Sequence, residues 1–496
     1  MINKKLLTEK YFEENKLIQS NIDSFDSFID WRLQSIIDDQ KYAIPAVIPP
    51  DVEEVKFEFG AIRVAKPEIV EADGAKRQLL PMEARIRSLT YSAAVFIEVG
   101  LIIDGKERER AEVQICDLPI MLKSKLCHLN GMSPDELITA GEDPDDPGGY
   151  FIIDGTERVL VLLEDLAPNQ IFVKNEKTGP ITHKARIFST SESYRIPHSI
   201  DRSKEGLFLL SFTVFNKIPF AVVMKALGLI KDKDIVDAIG MELTDDLYIN
   251  IYEFIDIKTQ KDAQEFIARS LHLALPKDRK IQRVTYMLDN LLLPHVGKTT
   301  ADRLNKAYFI GRMIKKLVLL KDKKIPPDDR DHYMNKRVRL AGDLMEDLFR
   351  ANFKVLINDM LYIFQRGVRR GRLIPLLSII RTKLLTQRIK SAMATGKWTS
   401  NRQGVSQRLE RDNIANTTAH LRSVVSLLES SRESFEAREL HPTHWGRLCP
   451  IESPEGKNIG LRKNVAILAQ VSPKLRNKDI KSTMNFLEEL GLTKIS

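Results

Sequence analysis

The chain has 496 residues, of which 43% are hydrophobic and 29% are charged, a balance typical of soluble globular proteins. This length predicts two to four domains. The absence of a long apolar run and of a signal-peptide core argues against a membrane or secreted protein, and three scattered cysteines argue against a disulfide framework or a zinc site. We therefore expect a cytoplasmic protein with no membrane contact.

The first 115 residues predict a helical segment followed by strands. Apolar residues recur at helical spacing between Phe12 and Ile36. Residues 57–63 and 94–103 are rich in β-branched and aromatic residues, and Asp104-Gly105 is a hairpin-turn signal. Between the two predicted strands, residues 81–92 read PMEARIRSLTYS.

Residues 148–160, GGYFIIDGTERVL, predict a second hairpin. A buried strand leads to a tight turn at Asp154-Gly155, and a second strand follows. The turn would place Thr156, Glu157 and Arg158 at one end of the hairpin.

The middle of the chain changes character twice. Residues 184–225 alternate as strands do, whereas residues 220–322 have helical periodicity, most plainly in 221–229, 245–255, 261–273 and 301–319. A charged, proline-containing linker, KDKKIPPDDRDH, occupies residues 321–332 and predicts a domain boundary. It leads to YMNKRVRLAG at 333–342 and to a long helix from Asp343 to about Gln365.

The acidic residues of this linker could suggest a metal site. Asp328, Asp329 and Asp331 lie among basic residues, however, so we expect ion pairs there and assign no metal.

A strongly basic stretch follows. Residues 366–408 contain eleven Lys or Arg and no Asp or Glu, so this stretch carries +11 in a chain whose net charge is +8, and the remainder carries −3. A charge of one sign in one stretch indicates contact with a polyanion, whereas a solvated helix face usually mixes signs. We expect two helices here, broken near Pro375.

The last motif combines QGVSQRLER at 403–411 with HPTHWGRLCPIESPEGKNIGL at 441–461. Its prolines and glycines interrupt both helical and strand periodicity, which indicates a backbone with a specific, non-repeating shape that fits something. His441, His444 and Cys449 invite a zinc interpretation, but zinc needs four ligands and no fourth is nearby, so packing around Trp445 is the better explanation.

These motifs occur in the order found in the second-largest subunit of multisubunit DNA-directed RNA polymerases, which the chain resembles from about residue 18 to 470. Residues 81–92, 148–160 and 328–342 match three family signatures, with Asp154 where Asn is commoner, and residues 403–463 resemble the family's fork region. In many archaea two polypeptides encode this subunit, and the chain resembles the N-terminal one.

The resemblance implies an α+β multidomain fold in which a protrusion domain is interrupted by an inserted lobe domain and followed by the fork. The implied boundaries are 1–177 and 333–400 for the protrusion, 178–332 for the lobe, 401–470 for the fork, and 471–496 for a C-terminal tail at the split point.

The resemblance also implies a function: one wall of the active-centre cleft, in contact with the RNA–DNA hybrid and downstream DNA. The catalytic magnesium ions are expected on the largest subunit, so we assign this chain no catalytic residue, metal ligand or cofactor and expect it to be inactive alone. The expected partners are the C-terminal half of the second-largest subunit, the chains of the largest subunit, the assembly subunits, the DNA template and the hybrid. The nucleic-acid-binding candidates are Arg158, Lys390, Lys397, Arg402, Gln407, Arg408, Arg411, His420 and Arg422.

Two other functions stay open at this point. A stand-alone nucleic-acid-binding protein would use the same basic stretch and would be stable without partners. A structural assembly subunit would not contact nucleic acid, and neutralising residues 366–397 would change only its solubility.

Overall fold

The computed structural model of the chain describes residues 4–176, 179–191, 194–272, 276–372, 375–399, 402–426, 428, 435–472 and 474–492. Within these ranges the helices are α1 Lys4–Glu14, α2 Gln19–Ser27, α3 Leu33–Asp38, α4 Pro81–Ile86, α5 Pro134–Thr139, α6 Phe220–Ala226, α7 Asp232–Ile239, α8 Asp245–Tyr252, α9 Gln260–Ser270, α10 Lys277–Asn290, α11 Arg303–Lys321, α12 Ala341–Arg369, α13 Leu376–Ile379, α14 Thr382–Thr395, α15 Ile414–Leu421 and α16 Asn477–Glu489.

The strands are β1 Tyr42–Ala43, β2 Val55–Val64, β3 Glu68–Val70, β4 Lys76–Gln78, β5 Ser92–Ile103, β6 Lys106–Pro119, β7 Phe151–Ile153, β8 Thr156–Leu160, β9 Leu162–Leu166, β10 Phe172–Asn175, β11 Ile181–Ser191, β12 Tyr194–Ser203, β13 Phe208–Phe212, β14 Phe215–Pro219, β15 Lys336–Arg339, β16 Ser406–Arg408, β17 Ser423–Ser426 and β18 Arg462–Asn464. None of the described helices is both long and apolar enough to cross a bilayer.

The chain divides into two compact units, and the second is inserted in the first. Unit 1 combines residues 1–165 with residues 338–496, and unit 2 is the segment 166–337. The insertion therefore starts before residue 178, because β10 already belongs to the sheet of unit 2.

Unit 1 is built on an antiparallel sheet with the strand order β1-β2-β5-β6. Along β5, Ala93, Val95, Ile97 and Val99 are buried and the residues between them less so, which is the period-two pattern of a strand with one face on a core. The helices α2, α3, α12 and α14 share this core. Two smaller sheets, β16-β8-β7 and β15-β9-β17-β18, join β7, β8 and β9 to strands from the last third of the chain.

The start of α12 shows why the motif ending at Gly342 has glycine there. A Cβ atom at this position would lie 2.0 Å from the backbone oxygen of Ser24 in α2. Next to it, the N–H of Ala341 donates to Asn21 Oδ1 at 2.9 Å. The two halves of unit 1, separated by the inserted unit, are thus joined backbone against backbone.

Unit 2 pairs a five-stranded antiparallel sheet, β10-β11-β12-β13-β14, with the helices α6 to α11. One sheet face, including Val173, Ala185, Ile187 and Ile200, shares a core with α6, α9, α10 and α11. The alternate residues of the same strands lie on the other face.

The secondary-structure predictions are largely confirmed. The helices predicted in 1–40 and 220–322 and the strands at 57–63 and 94–103 are present, and both predicted turns have positive φ at Asp104, Gly105, Asp154 and Gly155. The predicted mixed α and β composition in several domains is also confirmed. The long helix starts two residues before Asp343 and extends to Arg369, past the predicted end at Gln365, because no residue between these positions breaks it.

Candidate nucleic-acid interface

Two motifs that are far apart in sequence meet in one small sheet. The hairpin predicted at 148–160 is formed by β7 and β8, and β16 pairs antiparallel with β8 so that Arg408 lies directly opposite Arg158. Directly opposed residues of an antiparallel pair point to the same face, with Cβ atoms about 4.5–5.5 Å apart. The hairpin and the start of the fork stretch therefore place two arginine side chains next to each other on one face of the sheet.

Neither arginine of this pair makes an ion pair within the described ranges of the chain. The side chain of Arg408 is exposed and that of Arg158 is partly exposed. Like charges directly opposed across two strands destabilise a sheet unless a counter-charge reaches them. The geometry therefore favours binding of an anion next to the two arginines. The planar guanidinium group can donate two parallel hydrogen bonds, which suits phosphate oxygens.

The opposite face of β8 carries a different arrangement, centred on Glu157. This carboxylate accepts from Arg85 Nε at 2.8 Å and from Arg411 Nε at 2.7 Å. Burial would raise the pKa of Glu157, but the hydrogen bond from Arg411 and the positive charges of Arg411 and Arg85 outweigh burial and hold this pKa below its usual value.

Further partners complete this arrangement. Arg85 also donates to Glu142 at 2.6 Å and to the Tyr150 hydroxyl at 2.8 Å. Arg411 forms a second ion pair with Asp146 at 2.8 Å, and its guanidinium lies over the ring of Tyr150, 4.9 Å from the centroid. These contacts connect the motif at 81–92, the hairpin and the fork stretch to one another, and Arg411 makes several of them.

The remaining candidates of the fork region are largely buried and make hydrogen bonds within unit 1. His420 is buried; its Nδ1 accepts from the N–H of Glu410 at 3.2 Å, so Nε2 carries the proton and donates to Gln407 Oε1 at 3.2 Å. Burial lowers the pKa of His420, so the ring is neutral at pH 7. The amide of Gln407 donates to the Gly404 oxygen, and the buried Arg422 donates to the Ala466 oxygen at 2.7 Å.

The basic stretch contains both paired and unpaired cations. Lys390 lies 2.6 Å from Asp154 at the hairpin turn, and Arg402, whose side chain is 13% exposed, lies 2.8 Å from Asp165. Other cations of the stretch are exposed and make no ion pair with a described residue: Arg366, Arg369, Arg370, Arg372, Lys383, Arg388, Lys397 and Arg408. The charge count from the sequence included all of these cations. Of this group, however, only Lys397 and Arg408 were among the nucleic-acid-binding candidates predicted from the sequence. The sequence alone does not show which basic residues are exposed and unpaired.

Comparison with known proteins assigns these motifs to one family. Residues 16–387 match the RNA polymerase beta subunit family, and residues 407–471 match the family described as RNA polymerase Rpb2, domain 3. The chain belongs to the RNA polymerase beta subunit family. The domain 3 match covers every fork candidate from Gln407 to Arg422, and the first match covers Arg158 and the hairpin.

Archaeal relatives of two lengths are similar to the chain. It is 43% identical to the DNA-directed RNA polymerase subunit Rpo2N of Methanocaldococcus jannaschii and 38% identical to that of Halobacterium salinarum, over 98% or more of this chain and at least 97% of each relative. It is 42% identical to the DNA-directed RNA polymerase subunit Rpo2 of Saccharolobus shibatae over 98% of this chain but only 43% of that protein. The chain thus spans less than half the length of the Rpo2 relatives it matches.

The candidate metal sites resolve into other contacts. No group of three or more His, Cys, Asp or Glu side chains suited to a metal occurs in the described part of the chain. Asp328 pairs with Lys316 at 2.8 Å and Asp331 with Lys336 at 3.1 Å, so the ion pairing predicted for these acids is confirmed. His441 Nδ1 lies 2.7 Å from the Thr443 hydroxyl. Within the fork stretch, residues 427 and 429–434 lie outside the described residues.

Proposed function

We propose that the chain is a subunit of an archaeal-type DNA-dependent RNA polymerase, the N-terminal half of its second-largest subunit, and forms one wall of the active-centre cleft. The complex would transfer nucleotides from ribonucleoside triphosphates to an RNA 3′ end on a DNA template. The names of the relatives that match over nearly their whole length, both called DNA-directed RNA polymerase subunit Rpo2N, support this proposal. Unit 1 would comprise the protrusion and the fork, and unit 2 the lobe.

The observation that carries the nucleic-acid part of the proposal is the opposed pair of Arg158 and Arg408. It is a local concentration of positive charge with fixed geometry, and no described carboxylate neutralises it. Contacts from guanidinium groups to phosphates hold a strand without reading its bases, as a polymerase that transcribes any sequence requires. This pair would position the backbone of the hybrid.

The chain would contribute to the reaction rate by positioning. Holding the hybrid in register keeps the RNA 3′ end aligned with the incoming nucleotide, which lowers the entropic part of the barrier. The magnesium ions are assigned to the largest subunit and would supply charge stabilisation there. The other partners would be the second half of this subunit and the assembly subunits.

The test replaces the pair in the assembled polymerase. Arg158→Gln, Arg408→Gln and the double variant each remove charge. Arg108→Gln is the matched control because Arg108 is exposed, pairs with no described residue and lies in β6, in a different sheet from β8 and β16. Each lost phosphate contact should lower the salt slope of complex dissociation by roughly 0.7–0.9. Between 50 and 200 mM salt this amounts to about a threefold change in lifetime per contact.

The outcomes separate the candidate functions. Shorter-lived complexes for the two variants, with Arg108→Gln unchanged, support the hybrid contact. Unchanged lifetimes for all variants would favour a structural assembly subunit. The isolated chain should not polymerise nucleotides, and RNA synthesis by it alone would contradict the assignment of the catalytic magnesium ions to the largest subunit. Salt-sensitive binding of DNA by an isolated, monomeric chain would favour the stand-alone binding protein.

A further inference from the structure

A small cavity in unit 2 combines an apolar floor with a basic rim. It has a volume of about 120 Å³ and lies on the face of the sheet that points away from the helices. Its lining includes Phe172, Phe188, Lys174, Lys184, Arg186 and Arg330. A single water molecule needs about 10–15 Å³ on this scale, so the cavity has room for a group of several heavy atoms.

The strand register explains why these side chains converge. Phe172 pairs with Arg186 and Lys174 pairs with Lys184 across β10 and β11. Directly opposed residues share a face, and Phe188, two residues beyond Arg186, shares it as well. The strand register therefore accounts for the lining residues of β10 and β11, and Arg330 joins them from the segment between α11 and β15.

The charges around the cavity do not cancel. Lys174 pairs with Glu176 at 2.7 Å and Lys184 pairs with Asp201 at 3.2 Å, which neutralises both lysines. Arg186 and Arg330 form no ion pair with any residue that the structure describes. Partial burial and, after it, the neighbouring positive charges of Arg330 and Arg195 lower the pKa of Arg186, and the Asp201 carboxylate offsets this effect only in part. Two uncompensated positive charges remain at the rim.

The ring of Phe188 organises the guanidinium groups. The Cζ atoms of Arg186 and Arg195 lie 4.8 Å and 4.4 Å from its centroid, within the range of cation–π contacts. Arg195 is further held by a hydrogen bond to the Leu166 oxygen at 3.2 Å. Guanidinium groups restrained in this way lose less entropy when they bind an oxyanion bidentately.

We propose that this cavity in unit 2 binds the terminal phosphate of a small phosphorylated molecule. A terminal phosphate carries about two negative charges, which matches the two uncompensated arginines better than a single carboxylate does. It has one substituent and can enter a recess, whereas an internal phosphodiester has two sugar substituents and one charge. The apolar floor of Phe172 and Phe188 would contact the body of the ligand.

The test uses the full-length chain without magnesium and inorganic pyrophosphate as the probe. Isothermal titration calorimetry should give one site per chain. Arg186→Gln and Arg330→Gln should each weaken binding at least tenfold, because each removes one of the two uncompensated charges. Arg279→Gln is the matched control, since Arg279 is an exposed arginine of α10 in the same unit that pairs with no described residue, and it should change affinity less than twofold.

Each result decides the proposal. Arg186 and Arg330 are both exposed, so their replacement should leave the circular dichroism spectrum unchanged, which separates loss of the site from loss of the fold. No binding of pyrophosphate by the unaltered chain at 10 mM, or equal affinity in all variants, would overturn the assignment. Binding of a glutamate-rich peptide in place of pyrophosphate, with the same dependence on Arg186, would overturn it in favour of an acidic polypeptide.

Discussion

Replacement of Glu157 by Gln should destabilise unit 1 and leave unit 2 unaffected. The carboxylate bridges Arg85 and Arg411, with donor distances of 2.8 Å and 2.7 Å. A glutamine at this position has one acceptor oxygen, and its NH₂ group would face the N–H groups of one arginine. Both arginines keep another carboxylate, Glu142 or Asp146, so neither becomes an isolated buried charge.

The magnitude follows from these partners. Hydrogen bonds to charged groups contribute about 1.5–3 kcal/mol, and loss of a whole partner from a buried pair costs about 3–5 kcal/mol. Because the arginines remain partly satisfied and Arg411 is partly exposed, we expect a loss of about 2–3 kcal/mol. With a urea dependence of about 2–3 kcal/mol/M, the midpoint should fall by about 1 M.

Tryptophan fluorescence measures this loss in one unit selectively. Trp31, Trp398 and Trp445 are the only tryptophans of the chain, and all three positions belong to unit 1. The control is Glu71→Gln, because Glu71 bridges Arg77 and Arg87 in the same manner on an exposed surface. Exposed ion pairs contribute little, so this variant should leave the midpoint almost unchanged.

The pH dependence gives an independent check. The pKa of Glu157 is lowered in the folded chain, so its contribution is present above its unfolded pKa of about 4.3 and is lost as the pH falls through the folded value. The difference between the unaltered chain and Glu157→Gln should be constant from pH 6 to 8 and should close below about pH 4. Equal midpoints for the Glu157 and Glu71 variants at pH 7 would refute the reasoning.

Three further predictions concern the insert, a buried acid and the basic stretch. A fragment of residues 166–337 should unfold cooperatively. A fragment of residues 178–332 should unfold at a lower temperature because it lacks the buried Phe172 and Val173, which contribute about 1.5–3 kcal/mol each; equal melting temperatures would contradict this. Burial raises the pKa of Asp26 to about 6, so its ionisation should destabilise unit 1 by on the order of 3 kcal/mol as the pH rises from 4 to 6, and Asp26→Asn should remove that slope in pH-dependent unfolding. In the assembled enzyme, Lys397→Gln should shorten the lifetime of elongation complexes in salt more than Arg402→Gln, because Asp165 already neutralises Arg402; the reverse order would show that this ion pair opens on binding.

Most of the fold follows from local patterns. The helical periodicities at 1–40 and 301–319 and the β-branched and aromatic composition of 94–103 predict their elements because each run is long enough to dominate its neighbours. The start of the insert is different, because β10 has only four residues and its place in unit 2 depends on pairing with β11. It also depends on two hydrogen bonds between residues 155 apart in sequence: the N–H of Val173 donates to the Asp328 carboxylate, and the N–H of Asp328 donates to the Val173 oxygen. Local periodicity contains no information about such a contact.

The candidate site shows the same division between composition and contacts. The charge count locates the basic stretch correctly, but the pairing of Lys390 with Asp154 and of Arg402 with Asp165 depends on acids more than 200 residues away. Conversely, Arg411 has a side chain of the type that binds phosphate, but in the structure it makes ion pairs with acids of the chain itself. Its part in nucleic-acid binding stays a prediction, as does that of the buried His420 and Arg422.

The alternation of β8 accounts for the electrostatics of the interface. Successive residues of a strand point to opposite faces, so Glu157 and Arg158 lie on different sides of the same sheet. On one side, the carboxylate of Glu157 is engaged by Arg85 and Arg411 and cannot turn toward the other. On the other side, Arg158 faces Arg408 with no described acid between them. A shift of one residue in the pairing of β8 would place Glu157 opposite an arginine and neutralise the pair. The network around Glu157 fixes that register, and in doing so it keeps the positive charge of the opposite face available to a phosphate backbone.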